Sequence, residues 1–274
     1  MTAQPLRTPA PASAILLREQ AGDVAVLTLN RPEARNCLSE ALIADLHAAV
    51  AALGDDKTVR AVVIAAAGKA FSSGHDLKEL TARRADADGG RAFYAGIMNA
   101  CSAMMQSIVR LPKPVVAVVQ GIATAAGCQL VASCDLAIAS EQATFATPGV
   151  DIGLFCSTPM VALTRNVPRK QAMEMLLTGE AVSATRAREI GLVNRVVAHG
   201  TERDEAIALA RQIARKSAHT VRIGKEAFYR QAEMSLADAY RFASEVMTEN
   251  MMARDAEEGI CAFVEKRSPT WQDR

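Results

Sequence analysis

KAFSSGHDLKEL at residues 69–80 and QGIATAAGCQL at residues 120–130 decide how this chain folds. The first follows the apolar run Val62-Val63-Ile64, and the second follows Val115-Val116-Ala117-Val118-Val119. Each reads as a strand that breaks into a small-residue turn and opens a helix. A helix start leaves backbone N–H groups without intrahelical partners, at the positive end of the macrodipole. Two such starts converging on one carbonyl oxygen stabilise negative charge that develops there, the arrangement of an oxyanion hole. Either stretch alone is a weak signal; the pair is a much stronger one.

Working outward, residues 24–29 alternate apolar residues with Ala25 and Thr28 and predict a strand. Ser39 caps a helix that carries Leu42, Leu46, Val50 and Leu53 at helical spacing, and Gly54 stops it. A strand over 61–65 leads into the first turn. The polar stretch RRADADGG (83–90) predicts a mobile loop near a pocket mouth. A helix over 93–109 ends before Leu111-Pro112-Lys113-Pro114, where two prolines forbid continuation. A strand follows over 136–140. Strands and helices recur in this way up to about residue 200, which makes an α/β chain without short internal repeats.

From residue 201 onward the pattern is nearly all helix. Thr201-Glu202-Arg203-Asp204 and Ser235-Leu236-Ala237-Asp238 both have capping-box spacing. Leu236, Tyr240, Ala243 and Met247 form one helical stripe that extends to Met251 and Met252, and such a stripe predicts core packing.

Composition narrows the class. Half of the 274 residues are hydrophobic but only 4% are aromatic, so aliphatic residues must fill the core. A net charge of +1 argues against an electrostatic nucleic-acid or membrane surface. The six cysteines form no CxxC pair, which suits buried free thiols in a reducing compartment and no metal site. No apolar run reaches the roughly 18 residues that a membrane span needs. Residues 1–12, MTAQPLRTPAPA, read as a disordered tail with too little arginine for a transit peptide. The expected location is cytoplasmic, with a mitochondrial alternative.

Several longer motifs accompany the two turns: NRPEARNCL (30–38), SCDLAIAS (133–140), FATPGVDIGL (145–154), LTGEAVSATRAREIGLVNRVV (177–197) and AFVEKR (262–267). In this order, over residues 24–267, they resemble the crotonase superfamily, the enoyl-CoA hydratase/isomerase family. Within it, RPEARN, FSSGHDLKEL, AAGCQLVASCD, FATPGV and GLFCSTP resemble the subgroup of enoyl-CoA hydratase domain-containing protein 3. The resemblance implies a crotonase-like ββα spiral core with a CoA-thioester site over 13–200. It also implies a C-terminal α-helical trimerisation region over 201–274, and a homotrimer or a dimer of trimers (a hexamer).

By the same resemblance, the backbone N–H groups of His75 and Ala126 are the oxyanion donors. Gln129 and Gly149 stand where hydratases of this lyase-like family carry their two glutamates. Ala34, Arg35, Ser73, Asp76, Leu77 and Lys78 correspond to the coenzyme A cradle, while Phe263 and Lys266 reach a neighbouring subunit's coenzyme A. Coenzyme A enters as part of an acyl thioester substrate or ligand, not as a covalently bound cofactor. Arg35, Lys78 and Lys266 suit its phosphates. Cys156 and Ser157 are further pocket candidates, with lining favoured over catalysis because no base stands nearby in the pattern. Asp151 is expected at the surface, and Asp76 as the cap of the helix that starts beside it. For His75 the backbone is expected to matter and the ring to point away. His47, His199 and His219 have no motif context.

Replacing both glutamates has a definite chemical meaning. Glutamine hydrogen-bonds but does not exchange a proton at neutral pH, and glycine offers no side chain. General acid–base assistance contributes about 10²–10⁴-fold and one oxyanion donor about 10²–10³-fold. The pattern keeps the electrostatic half of the machinery and lacks the proton-transfer half. Two function classes follow. One is an enzyme of fatty-acid or acyl-CoA metabolism: a poor hydratase, an isomerase, a hydrolase or a decarboxylase. The other is a catalytically silent CoA-thioester binder. Restoring both glutamates is expected to raise hydration more than the sum of either change.

Overall fold

A computed structural model describes residues 14–274. The tail at residues 1–12 lies outside the described residues. Among the described residues, ten strands form two sheets. The larger contains β1 (Leu16–Ala21), β2 (Val24–Leu29), β3 (Ala61–Ala66), then, past β4 (Ala70–Ser72), β5 (Val115–Val119). After β6 (Ile122–Thr124) it takes in β7 (Leu136–Ser140), and after β8 (Thr144–Ala146) and β9 (Val182–Ser183) it ends with β10 (Arg195–Val197). Its order is β1-β2-β3-β5-β7-β10, antiparallel only between β1 and β2. The smaller sheet has order β4-β6-β8-β9. The chain therefore climbs as a spiral: β3, β5 and β7 each feed the large sheet, and the next strand feeds the small one. β4, β6 and β8 have only three residues each, too few for a period to be read from sequence.

Helices α1 (Glu40–Asp55), α2 (Leu77–Ala82), α3 (Arg91–Arg110) and α4 (Ala126–Ser133) alternate with the strands. They are followed by α5 (Ser157–Leu163), α6 (Arg169–Thr178), α7 (Ala184–Glu189) and α8 (Glu202–Ala214). Last come α9 (Ala218–Gln231), α10 (Leu236–Met252) and α11 (Arg254–Val264). Among the described residues, no helix is long and apolar enough to cross a membrane.

β2 shows why these residues make this core. The strand expected over 24–29 forms, and all six of its residues are buried. Ala25, Leu27 and Leu29 face the main core with Leu42, Leu46 and Leu53 of α1. Val24 and Val26, with Val63 of β3 and Val116 of β5, face a second cluster that Ala206, Ala210 and Ala214 of α8 complete. Alanines four residues apart give α8 a flat face that seats on the sheet. The first helix after residue 200 thus covers the spiral's own sheet.

Local predictions meet mixed outcomes. The Ser39 hydroxyl accepts the Leu42 N–H at 3.2 Å, as a cap should. Gly54, however, does not stop α1, which continues through Asp55 without a positive φ at the glycine. The 83–90 segment, expected as a loop, has local structure. It holds a 3₁₀ turn at Arg83–Ala85, Asp88 accepts the N–H groups of Gly90 and Ala92, and Arg83 stacks on Phe93 at 4.7 Å. The Ser235 cap forms, but the Thr201 one does not, because that hydroxyl donates to the Ala198 carbonyl instead. The α10 stripe is not core either. Leu236, Tyr240, Met247 and Met252 are all exposed in the chain. Five cysteines are buried as free thiols, while Cys261 is exposed.

Candidate active site

The first turn is assembled by a single bridge. Leu38 pairs with His75 in parallel fashion: the Leu38 N–H donates to the Gly74 carbonyl at 2.7 Å, and Asp76 N–H donates to the Leu38 carbonyl at 3.3 Å. A parallel bridge uses the neighbours of the paired residue, so it turns His75's own N–H away from Leu38. Gly74 lies at φ 87°, a conformation open to glycine.

The second turn comes to meet it. A Cβ placed on Gly74 would lie 2.9 Å from Ala125 Cβ and 3.3 Å from the Ala126 nitrogen. A Cβ on Gly127 would lie 2.3 Å from the Ser72 carbonyl oxygen, so only glycine lets α4 start this close to β4. Ala125 precedes the helix at φ 50° and ψ −119°, which is sparsely populated for a residue with a side chain. Neither the His75 nor the Ala126 N–H has a backbone acceptor among the described residues. Two N–H groups without backbone acceptors thus stand on touching turns, one of them at a helix start.

The loop after β2 braces this turn. Asn36 is fully buried and satisfied on three sides: its Oδ1 accepts the Arg31 N–H, and its Nδ2 donates to the carbonyls of Ala67 and Ala70, each at 2.8 Å. Ser73 N–H donates to the Arg35 carbonyl at 3.1 Å. Asp76 accepts from Lys78 N–H at 3.1 Å, from the Cys37 thiol at 3.2 Å and from Arg31 at 3.3 Å. Asp76 is thus the expected cap of α2. Burial pushes its carboxyl up, but the bonds from Cys37, Lys78, Glu79 and Arg31 outweigh burial and hold it below the usual range. Burial, then the bond to Asp76, pushes Cys37 up to about 11. Arg31, Asn36 and Cys37 went unassigned in the sequence; the quoted NRPEARNCL run contains all three, but nothing in it points to Asp76.

The His75 ring is mostly enclosed, and neither of its nitrogens has a hydrogen-bond partner. Burial pulls its pKa below the ordinary value, with the Leu38 backbone opposing, so the ring is neutral at physiological pH. Gln129 sits one helical turn beyond Ala126 and is 5% exposed, and its Oε1 also lacks a partner. Asp151 is exposed, as expected.

Gly149 is buried in the 3₁₀ turn Pro148–Ile152. A Cβ there would lie 2.7 Å from the Leu154 carbonyl oxygen and 2.9 Å from Cys156 Sγ. Cys156, at the cap of α5, therefore fills the space from which a side chain at 149 would grow. For the expected restoration of two glutamates, this means that a side chain at 149 requires the Leu154 carbonyl or Cys156 to shift. Burial raises the Cys156 pKa, with a Gly149 backbone hydrogen bond opposing, so the group stays a thiol. The Ser157 hydroxyl donates to the Phe155 carbonyl at 3.3 Å, and among the described residues no side-chain base hydrogen-bonds to it.

The structure gathers Ala34, Arg35, Ser73, His75, Asp76 and Ala126 at one place, with Leu77 and Lys78 on its exposed outer side. Phe263 and Lys266 stand elsewhere, at the end of α11, where Phe263 is 85% exposed. Among the described residues, no hydrogen bond joins them to the two turns.

A family model described as enoyl-CoA hydratase/isomerase matches residues 19–274. The chain belongs to the enoyl-CoA hydratase/isomerase family. Within that family it is 49% identical over 245 residues to the mitochondrial enoyl-CoA hydratase domain-containing protein 3 of Xenopus laevis, covering 89% of this chain and 82% of that one. A crystal structure of enoyl-CoA hydratase from Mycobacterium smegmatis superposes with a TM-score of 0.89 at 52% identity, covering 94% of this chain and 99% of that one. The human domain-containing protein 3 structure gives 0.89 at 45% identity, with 94% and 100% coverage. The fold is therefore the family's crotonase fold, and the subgroup is the one its motifs resemble.

Proposed function

We propose that the chain binds acyl-CoA thioesters and polarises their carbonyl oxygen between the His75 and Ala126 N–H groups, without the two-carboxylate proton relay of a hydratase. The observation that carries this reading is the pair of free N–H groups on touching turns, beside Gln129 and an obstructed Gly149. Gln129 orients the ligand by hydrogen bonding and moves no proton. The cradle Ala34, Arg35, Ser73, Asp76, Leu77 and Lys78 receives coenzyme A, with Arg35 and Lys78 toward its phosphates. Residues 201–274 assemble a trimer or a dimer of trimers, in which Phe263 and Lys266 reach a neighbour's coenzyme A. The setting is acyl-CoA metabolism. As for compartment, the related proteins named as mitochondrial favour that alternative over the cytoplasmic expectation.

A silent binder is the second reading, favoured by the same Gln129 and Gly149. Titration calorimetry with crotonyl-CoA, paired with a hydration assay, tests the proposal. We expect saturable binding with a hydration kcat/KM below about 10⁴ M⁻¹s⁻¹, the lower end of ordinary enzymes. Hydration at or above that value would require a proton carrier and overturn the reading. Absence of thioester binding would sink it altogether.

A further inference from the structure

Residues 267–274, beyond α11, fold back along that helix and are bonded at almost every step. Arg267 starts the return: its two terminal nitrogens clasp the Glu258 carboxylate at 2.6 and 2.9 Å, and its Nε donates to Glu265 at 2.6 Å. The Thr270 N–H donates to Glu258 as well, at 2.7 Å. Trp271 then lies on Gly259, where a Cβ would stand 3.2 Å from the ring, and its indole N–H donates to the Arg215 carbonyl at 2.9 Å. The return is completed at Asp255, buried at the start of α11. Its carboxylate accepts the N–H groups of Gln272 and Asp273 at 2.7 and 2.9 Å, and its own N–H donates to the Arg274 carbonyl at 3.0 Å.

This strap is anchored to the spiral through one side chain. Arg60, just before β3, donates to both oxygens of Asp273 at 2.7 and 3.0 Å, and the Ala218 N–H at the start of α9 donates to the same carboxylate at 2.8 Å. Arg60 also donates to the carbonyls of Ala214 and Lys216, in the joint between α8 and α9. A planar guanidinium with several fixed donors can make all these bonds at once. It joins β3, the α8–α9 joint and the strap.

The strap also fixes the end of α11. There the Arg267 N–H returns to the Ala262 carbonyl at 2.9 Å and the Lys266 N–H to the Phe263 carbonyl at 3.3 Å, which is a Schellman cap. Lys266 holds the left-handed position of that cap at φ 55°, where glycine is the usual residue. A side chain kept in that region needs surroundings that impose it. Glu258 and Glu265 are both committed to Arg267, and among the described residues no carboxylate pairs with the Lys266 ammonium. An unpaired cation and the exposed Phe263 ring thus share one arm, whose direction is set by its neighbours' bonds.

Building on the acyl-CoA reading above, we propose that residues 267–274 are a positioning strap: Asp255, Arg60 and Asp273 hold Phe263 and Lys266 in the direction from which they meet a neighbouring subunit's coenzyme A. An arm that is already ordered loses less freedom on binding. Calorimetric Kd values for crotonyl-CoA test this, with sedimentation run on every variant. Phe263→Ala/Lys266→Ala, which removes the arm's side chains, should raise Kd about tenfold or more, as expected for one charge-assisted hydrogen bond. Asp273→Ala and Asp255→Asn loosen the strap at its two anchors, and each should raise Kd about threefold to fivefold because the arm is then ordered only on binding. In the Phe263→Ala/Lys266→Ala background, Asp273→Ala should change Kd less than about twofold, since the strap acts through the arm. An unchanged Kd in both strap variants overturns the proposal, and so does full additivity with the arm variant. Dissociation of the assembly by Asp273→Ala overturns it too, because the strap would then serve subunit contact. An ordinary Kd in the arm variant removes the arm from the site and the strap's role with it, while thioester binding stands. If the wild-type protein binds no thioester, the acyl-CoA reading fails first and takes this one with it.

Discussion

Ala125 holds the strain of the second turn on one residue. Its φ of 50° and ψ of −119° cost about 1–3 kcal/mol for a residue with a Cβ, while glycine gives back about 0.5–1 kcal/mol through unfolded-state entropy. Ala125→Gly should therefore stabilise the fold by about 1 kcal/mol and keep thioester binding, and denaturant melts together with calorimetry will check both. An unchanged or lowered midpoint would mean that the turn is not strained. Gly149 makes the opposite case. Gly149→Glu drives a side chain into Leu154 and Cys156, so it should cost about 1–3 kcal/mol by overpacking and restore no hydration. In a Cys156→Ala background part of that cost should disappear, because one of the two obstructions is gone. Simple additivity of the two stability changes would show that Sγ is not the obstacle.

At the scale of elements, α9 is held to the spiral by a buried cluster. Lys225 and Asp135 pair at 2.7 Å with side chains only 8% and 16% exposed, and Tyr229 donates to the same carboxylate. Asp135 also accepts the Val115 N–H at the start of β5, so one side chain ties α9 to the strand that leads toward α4. Lys225→Met leaves a buried carboxylate without its cation and should cost about 3 kcal/mol. Hydrogen exchange in α9 should rise more than in β3 or β5. Uniform loss of protection would mean that α9 melts only with the whole protein. The SCDLAIAS motif made Asp135 conspicuous in the sequence, but its partner 90 residues away was not.

For the whole molecule, the exposed apolar residues of α10 and α11 are the feature that a lone chain leaves unexplained. Leu236, Tyr240, Met252, Phe263 and Val264 are each more than 70% exposed, and large apolar side chains left bare in number are what an interface uses. Under the trimer reading, sedimentation should give three or six times the 29.1 kDa chain mass, and Met247→Glu should shift it toward the single chain. A monomer at micromolar concentration would refute the assembly and leave Phe263 and Lys266 without a role at the site.

What the sequence determined by itself was local. A run of apolar residues broken by small ones sets a strand and a helix start, and the start carries free N–H groups wherever the helix ends up. Ser39, Asp76 and Ser235 were legible as caps for the same reason, each bonding within a few residues of itself. The ββα spiral, and the expectation of oxyanion donors at His75 and Ala126, came from motif resemblance, since three-residue strands carry no period. The Met stripe shows the limit: amphipathic spacing says that one face is buried against something, not whether the partner is the core or another chain. Tertiary structure alone decided that Gly74 abuts Ala126, that Cys156 takes the space beside Gly149, and that Asp273 meets Arg60. These are contacts between segments far apart in the chain. They depend on how closely backbones approach, and approach distance is a property of packing that no single stretch of residues encodes.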